Sequence, residues 1–333
     1  MRARRFTQLT AACLIATIYT PSMAEDTTVS PDKIIAEFES IFGVNPGHRR
    51  NHTEGLCAQG EFVGAKEATA FSKSILFNGK KIPVIARFSL AGGNINAPDT
   101  SKSPRGMALE FALSKSSIQH MTMLNVPMFG AATPQSFYDG MLAGRADPAT
   151  GKADPEKIKA FRASHPDSQP LAAFMGSHNP PVSYANSDFY SIHTFKMLNK
   201  KNKVTLVRWR FEPEDGVQRL TDDEMKSGPS SFLEKDFLSK VSAKPIRWKM
   251  ILTVGEPDDV QDNPTVLWPA GRKEIQAGVL TLTSAAKEAG ASCEKINFDP
   301  LVMGDGIAPT NDPVLLYRSP AYALSFAKRI SNQ

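Results

Sequence analysis

The chain has 333 residues, 41% of them apolar and 22% charged, with 39 basic and 34 acidic residues for a formal net charge of +5. That length and apolar fraction suit one large domain or two ordinary ones with a sizeable core, and exclude a disordered or fibrous chain. Three of the basic residues (Arg2, Arg4, Arg5) lie in the first 24 positions, which hold no acids; the remainder has 36 basic against 34 acidic residues, so no nucleic-acid-binding surface is implied.

Residues 1–24 read as an export signal, with a basic start, the apolar run LTAACLIATIY at 9–19, and SMA at 22–24 offering small residues at Ser22 and Ala24. The mature chain is then expected to begin near Glu25 and to be periplasmic or secreted; Arg4-Arg5-Phe6 resembles part of a twin-arginine signal. The run is shorter than a membrane span. No other stretch approaches about 18 consecutive apolar residues, so no membrane span is expected.

Residues 31–42, PDKIIAEFESIF, place Ile34, Ile35, Phe38, Ile41 and Phe42 at helical spacing, with Ser30 available as a cap and Pro31 suited to the first helical position. The polar segment RRNHTEG at 49–55 follows. On residue type alone its His52 is open to four readings: a solvated loop residue, a capping residue, part of the Asn51-His52-Thr53 glycosylation pattern, or an acid-base group. Strands are predicted at 82–90, 106–113, 203–212, 246–254 and 277–283, several of them alternating; Trp248, Met250, Leu252 and Val254 share one face. A Pro-bounded helical region spans about 135–176, and a second helical segment covers 229–242. Long antiparallel strands enclosing an apolar interior, with helices inserted between and flanking them, predict an α+β protein built on a closed or nearly closed barrel. No repeat, low-complexity tract or linker divides residues 25–333, so one domain is expected there.

Of three cysteines, Cys13 lies in the signal, and whether Cys57 and Cys293 pair is left open by spacing alone. His48 and His52 have the His-x-x-x-His spacing of zinc proteases. Pro46 and Gly47 argue against a helix there, however, and no glutamate follows His48. No glycine-rich phosphate loop follows a strand.

The stretch RRNHTEGLCAQGEF at 49–62, with Arg49-x-x-His52-x-x-Gly55 and a closing Gly60-x-Phe62, resembles the segment of haem catalases that carries the distal histidine. A second block, PVIARFSLAGGNINAPDTSKSPRGMALEF at 83–111, resembles the next catalase segment in order and spacing. Further likeness runs through NVPMF at 125–129, SIHTFKMLN at 191–199, VLWPAG at 266–271 and the stretch 296–329, which contains Arg318-x-x-x-Tyr322 and Arg329. The resemblance covers almost all of the chain beyond the signal. It implies a catalase-type barrel and an iron-containing haem b, with Tyr322 as the iron ligand. A tyrosine ordinarily ionises near pH 10, so a phenolate ligand needs a cation beside it, and Arg318, one helical turn away, is the natural counter-charge. The same resemblance places His193 and Asp312 beside Arg318 as a proximal relay. It makes His52 the distal acid-base group that moves a proton between the two peroxide oxygens, with Ser89 holding its other nitrogen. Arg49, Arg87 and Arg329 would neutralise the haem propionates, and Phe129 and Phe137 would pack against the porphyrin, although a plain core role suits both phenylalanines as well.

Three departures qualify this expectation. The family motif Asn-Asn-x-Pro reads Leu124-Asn125-Val126-Pro127 here, which puts Leu124 at the distal asparagine's place; Asn125 serves instead only if the backbone slips by one. Asn51 replaces a small apolar residue before the histidine. The chain ends eleven residues beyond Tyr322, so the C-terminal helical domain of larger catalases is not expected. The reading that results is an oxidoreductase acting on peroxide, a catalase-related peroxidase that reduces hydrogen peroxide or organic hydroperoxides with an organic electron donor and has weak catalase activity. The alternatives are a truncated true catalase, a hydroperoxide-rearranging haem enzyme, and a haem carrier or sensor, the last disfavoured because a carrier has no use for a distal acid-base group. A monomer or small homo-oligomer is expected.

Overall fold

The computed structural model describes residues 28–332, so the predicted signal at 1–24 lies outside the described residues. Helix α1 (Pro31–Phe42) has its predicted bounds and ends at Gly43, whose φ of 76° suits glycine. Ser30 sits at the N-cap with extended backbone, but its hydroxyl makes no capping bond; Pro31, with its fixed φ, supplies the start.

Four strands follow: β1 (Gly55–Gly64), β2 (Lys81–Leu90), β3 (Arg105–Ser114) and β4 (Ser117–Leu124). The predicted helical region at 135–176 resolves into three helices, α2 (Pro134–Gly144), α3 (Pro155–Ser164) and α4 (Gln169–Ser177); Pro134 and Pro155 each stand at the first helical position of their helix. Then come β5 (Phe189–Tyr190), β6 (Phe195–Leu198), β7 (Val204–Pro213), α5 (Asp222–Ser227), α6 (Leu233–Ala243), β8 (Ile246–Val254), β9 (Glu274–Lys287), β10 (Ile307–Pro309) and α7 (Pro313–Ile330).

The predicted barrel is closed. Strands β1, β2, β3, β4, β5, β7, β8 and β9 form an antiparallel ring, with β7 pairing with both β5 and β8, and β6 and β10 extend it beside β7. Alternate side chains fill the interior: Phe62, Phe88, Phe111, Phe211, Trp248 and Met250 are each fully buried. Phe237 of α6 reaches the ring of Phe88 at 4.7 Å, so that helix closes onto the same core.

The register decides what the other face carries. Gly55 pairs with Ser89, Ser89 with Gly106, and Gly106 with Leu124; two residues away along each strand, Cys57 pairs with Arg87, Arg87 with Ala108, and Ala108 with Thr122. Because strand side chains alternate with a period of two, Arg87, Ser89, Thr122 and Leu124 share the face turned away from Phe88 and Met107. Helices α1, α2 and α7 pack on one another above that face.

Candidate active site

Between the outer face of β2–β4 and the helices lies a cavity of about 590 Å³, within the size range of ligand pockets. Its walls are mostly apolar. Helix α1 contributes Ile34, Phe38, Ile41 and Phe42, and the rings of Phe38, Phe137 and Phe129 form a row with centroids 6.1 and 5.4 Å apart. Both phenylalanines singled out in the sequence therefore line the cavity. Helix α7 presents Val314, Arg318, Ala321, Tyr322, Ser325 and Arg329, a stripe at three- and four-residue spacing.

On the sheet side, His52 stands at the cavity wall with φ of 56°, in the left-handed region that side chains seldom adopt. Three contacts hold it. Its backbone N–H donates to Asn51 Oδ1 (2.9 Å), its carbonyl accepts from Arg87 Nη2 (2.8 Å), and its ring Nδ1 bonds Ser89 Oγ (2.9 Å). Asn51 Oδ1 also accepts from the Gly92 backbone N–H at 2.7 Å, so Asn51 organises this loop. Gly106 lies under the ring: a Cβ there would stand 3.0 Å from His52 Nδ1 and Cε1, tight enough to push the imidazole. Burial, and then the charges of Arg87, Arg318 and Arg49, push the His52 pKa down to about 3, so the imidazole is neutral at ordinary pH.

Across the cavity, Arg318 Nη2 donates to Tyr322 OH and to Thr122 Oγ1, both at 2.7 Å. The predicted pairing of Arg318 with Tyr322 is thus in place, anchored to β4 by a threonine that the motifs did not single out. Arg318 Nη1 is buried without a partner.

His193 and Asp312 are joined, Nδ1 to Oδ2 at 2.6 Å, but neither lines the cavity. Asp312 also caps α7, its Oδ1 accepting from the N–H groups of Val314 and Leu315 (2.9 and 3.2 Å). The expected relay stops at His193, whose Nε2 has no partner although the Arg318 charge is near enough to help burial lower the His193 pKa.

Arg49 and Arg87 meet at a carboxylate the sequence reading missed, while Arg329 donates to Ile296 O at 3.3 Å. Glu288 accepts from Arg87 Nε and Nη2 at 2.7 Å each and also bonds Arg49 Nη1. Arg49 Nη2 turns to backbone carbonyls, Ile296 O at 2.9 Å and Cys293 O at 3.2 Å, and Arg329 keeps a buried Nη1 unpaired. Burial would raise the Glu288 carboxyl, but the bonds and charges of Arg87 and Arg49 hold it below the ordinary range. Cys57 and Cys293 are disulfide-bonded, closing the question left open by spacing and tying the segment after β9 to β1.

Leu124 lines the cavity on the same wall as His52. Asn125 turns away: it is buried, its Oδ1 accepts from the Arg105 N–H at 2.7 Å, and its own N–H donates to Arg105 O at 2.9 Å.

The residues fit a planar, largely apolar macrocycle with anionic groups at one edge. Aromatic and aliphatic walls surround a phenol with its own cation, and unpaired arginine nitrogens remain on Arg318 and Arg329. Among the described residues no group of three or more His, Cys, Asp or Glu is placed to hold a metal ion.

The catalase family model matches residues 35–333. A catalase-related peroxidase of Synechococcus elongatus is 50% identical over 326 residues, 98% of this chain and 96% of that protein. A second catalase-related peroxidase, from Mycolicibacterium paratuberculosis, is 25% identical over 302 residues, 90% of this chain and 95% of that one. Among solved structures, catalase A from Saccharomyces cerevisiae superposes with a TM-score of 0.79 at 23% identity, over 89% of this chain but only 63% of its own.

Proposed function

The chain belongs to the catalase family, and on that premise we propose that it is a haem-dependent peroxidase that reduces hydrogen peroxide or an organic hydroperoxide with electrons from an organic donor and disproportionates peroxide only weakly. Leu124 carries the reading. Peroxide disproportionation needs a second peroxide held as a reductant beside the distal histidine, and the side chain beside His52 here offers no hydrogen bond, while the neighbouring amide of Asn125 is committed to the Arg105 backbone.

In this proposal Tyr322 would hold the haem iron, with Arg318 as the counter-charge of its phenolate, and the arginines at the cavity edge would hold the carboxylates of a haem b. The bound haem iron supplies the redox chemistry at peroxide. The chain's part is proton placement: Ser89 fixes Nδ1 of His52, which leaves Nε2 as the ring nitrogen that takes a proton from one peroxide oxygen and returns it to the other. Burial, and then the charges of Arg87, Arg318 and Arg49, keep the His52 imidazole neutral at ordinary pH, which leaves a lone pair on the ring to receive the proton. The apolar walls keep bulk water from competing for those bonds.

We further propose that residues 1–24 direct export, to the periplasm or outside the cell, and that 25–333 act as one haem-binding unit; a disulfide at Cys57 and Cys293 supports an oxidising compartment. Among the described residues no helix is long and apolar enough to cross a membrane.

The test is to load the purified chain with haem and compare oxygen release from peroxide with peroxide-driven oxidation of an aromatic donor. Donor oxidation is expected to dominate. A chain that takes up no haem, or one whose oxygen release dominates, overturns the proposal.

A further inference from the structure

Glu288 is the first residue after β9, outside any regular element and in a segment already tethered by the disulfide at Cys293. Yet its carboxylate is placed with two-point geometry on one guanidinium. Both oxygens engage Arg87, through Nε and Nη2 at 2.7 Å each, the fork-to-fork pairing that fixes the plane of an arginine as well as its position. One oxygen also receives Arg49 Nη1. The Arg87 Nη2 held in this way is the same atom that donates to His52 O at 2.8 Å and to Thr53 O at 3.4 Å. His52 is the residue with φ of 56°. Its left-handed backbone is therefore secured from outside by a guanidinium that is itself locked from the far side by Glu288.

We propose that Glu288 is a positioning residue for His52, acting through Arg87, and that it keeps this place when the haem site is filled. The proposal rests on the peroxidase reading for its functional meaning. The charge balance supports it. Three arginines and one carboxylate leave two positive charges at the cavity edge, the complement of the two carboxylates of a haem, and Arg329 Nη1 is a donor still unpaired. Were Glu288 only a placeholder for those carboxylates, Arg49 would be expected to keep donors for them; instead its Nη2 is committed to the carbonyls of Cys293 and Ile296.

Two variants of the full chain test this. Glu288→Gln keeps the shape but cannot accept from both Arg87 nitrogens, and Glu288→Asp keeps the charge one methylene shorter. In haem-free protein labelled with ¹⁵N-histidine, Glu288→Gln is expected to shift the ring-nitrogen resonances of His52, and Glu288→Asp to restore them in part. After loading with haemin, Glu288→Gln is expected to keep the Soret band of the wild type. Its cyanide association rate should fall by roughly 10- to 100-fold, the usual effect of removing an outer-shell partner, because cyanide enters as the protonated acid and needs His52 to receive its proton. Glu288→Asp recovers most of that rate. If Glu288→Gln leaves both the His52 resonances and the cyanide rate unchanged, the proposal is overturned. It is equally overturned if that variant binds haem more tightly at an unchanged cyanide rate, which would make Glu288 a competitor of the haem carboxylates. A wild type that takes up no haem sinks the peroxidase reading instead, and the histidine resonances still decide the role of Glu288. Should Glu288→Gln not fold, Glu288→Asp is read in the same way, with a smaller shift expected.

Discussion

Replacing Leu124 by Asn separates a peroxidase from a catalase at one position. Leu124 ends β4, faces the cavity and is half-buried, and its register is pinned by pairing with Gly106 on one side and Tyr190 on the other. An asparagine is close to it in size and places an amide where the leucine methyl groups now stand. One neutral hydrogen bond to a bound peroxide contributes about 0.5–1.5 kcal/mol, so oxygen release should rise roughly 2- to 10-fold. The lost apolar contact of a half-buried leucine costs about 1 kcal/mol of stability, which lowers the melting temperature without unfolding the chain. The control is Asn125→Leu. That change removes the acceptor of the buried Arg105 N–H and should cost about 1–3 kcal/mol in stability, yet leave oxygen release where it was. The assay is polarographic oxygen release set against donor oxidation in the same haem-loaded preparations. Oxygen release that is rapid in the wild type and abolished by Asn125→Leu would refute the reasoning, because the buried amide would then have to be the group that holds peroxide.

Tyr322→Phe removes the hydroxyl that Arg318 contacts at 2.7 Å while keeping the ring, and should abolish the ferric tyrosinate spectrum or haem retention; a wild-type spectrum would show that Tyr322 is not the ligand. Arg318→Leu should act in the same direction less completely, since it also frees Thr122. His52→Ala should retain haem but react with peroxide slower by roughly two to four orders of magnitude in stopped-flow mixing. In the wild type the same reaction should show no histidine limb between about pH 5 and 8, because His52 is held near pKa 3. The linked effect on stability has a definite sign. Below the ordinary histidine value of about 6.5 the unfolded chain binds a proton that the folded chain refuses, so this contribution is complete above that pH and is lost as pH falls toward about 3. Reducing the Cys57–Cys293 bond, which spans 236 residues of sequence, should lower stability by about 2–5 kcal/mol, read as a fall in melting temperature with reductant; an unchanged melting temperature would mean that the barrel alone holds the segment after β9.

What could be read from the sequence was what local geometry determines. Arg318 and Tyr322 are four residues apart on a helix and had to share a face; Arg87 and Ser89 are two apart on a strand and had to share a face. Leu124 follows from the alignment that Pro127 and Phe129 fix, although the strand that ends on it, β4, had no predicted counterpart. What could not be read was assembled by distance in the chain. Glu288 meets Arg87 across 201 residues and sits just past a strand, in a stretch with no periodicity or motif to mark it. Asp312 looked like one end of a relay, but its helix-capping bonds show that a single carboxylate can satisfy two demands, of which only one leaves a sequence signature. The apolar periodicity of α1 announced a buried face without saying that this face would be the wall of a cavity instead of the barrel core.

The geometry at His52 also bears on the carrier alternative. A non-glycine residue in the left-handed region costs on the order of 1–3 kcal/mol and persists only where its surroundings over-determine it. Here Asn51, Ser89 and Arg87 each contribute a hydrogen bond to the same residue, and Gly106 gives way beneath its ring, where any larger side chain would crowd the imidazole. A protein that only held haem would need Tyr322, Arg318 and the apolar walls, all of which lie elsewhere in the cavity and would be satisfied with any small residue at position 52. A neutral imidazole with one nitrogen fixed by Ser89 and its backbone held by Asn51 and Arg87 is what the proposed proton transfer requires and what passive binding gives no reason to maintain.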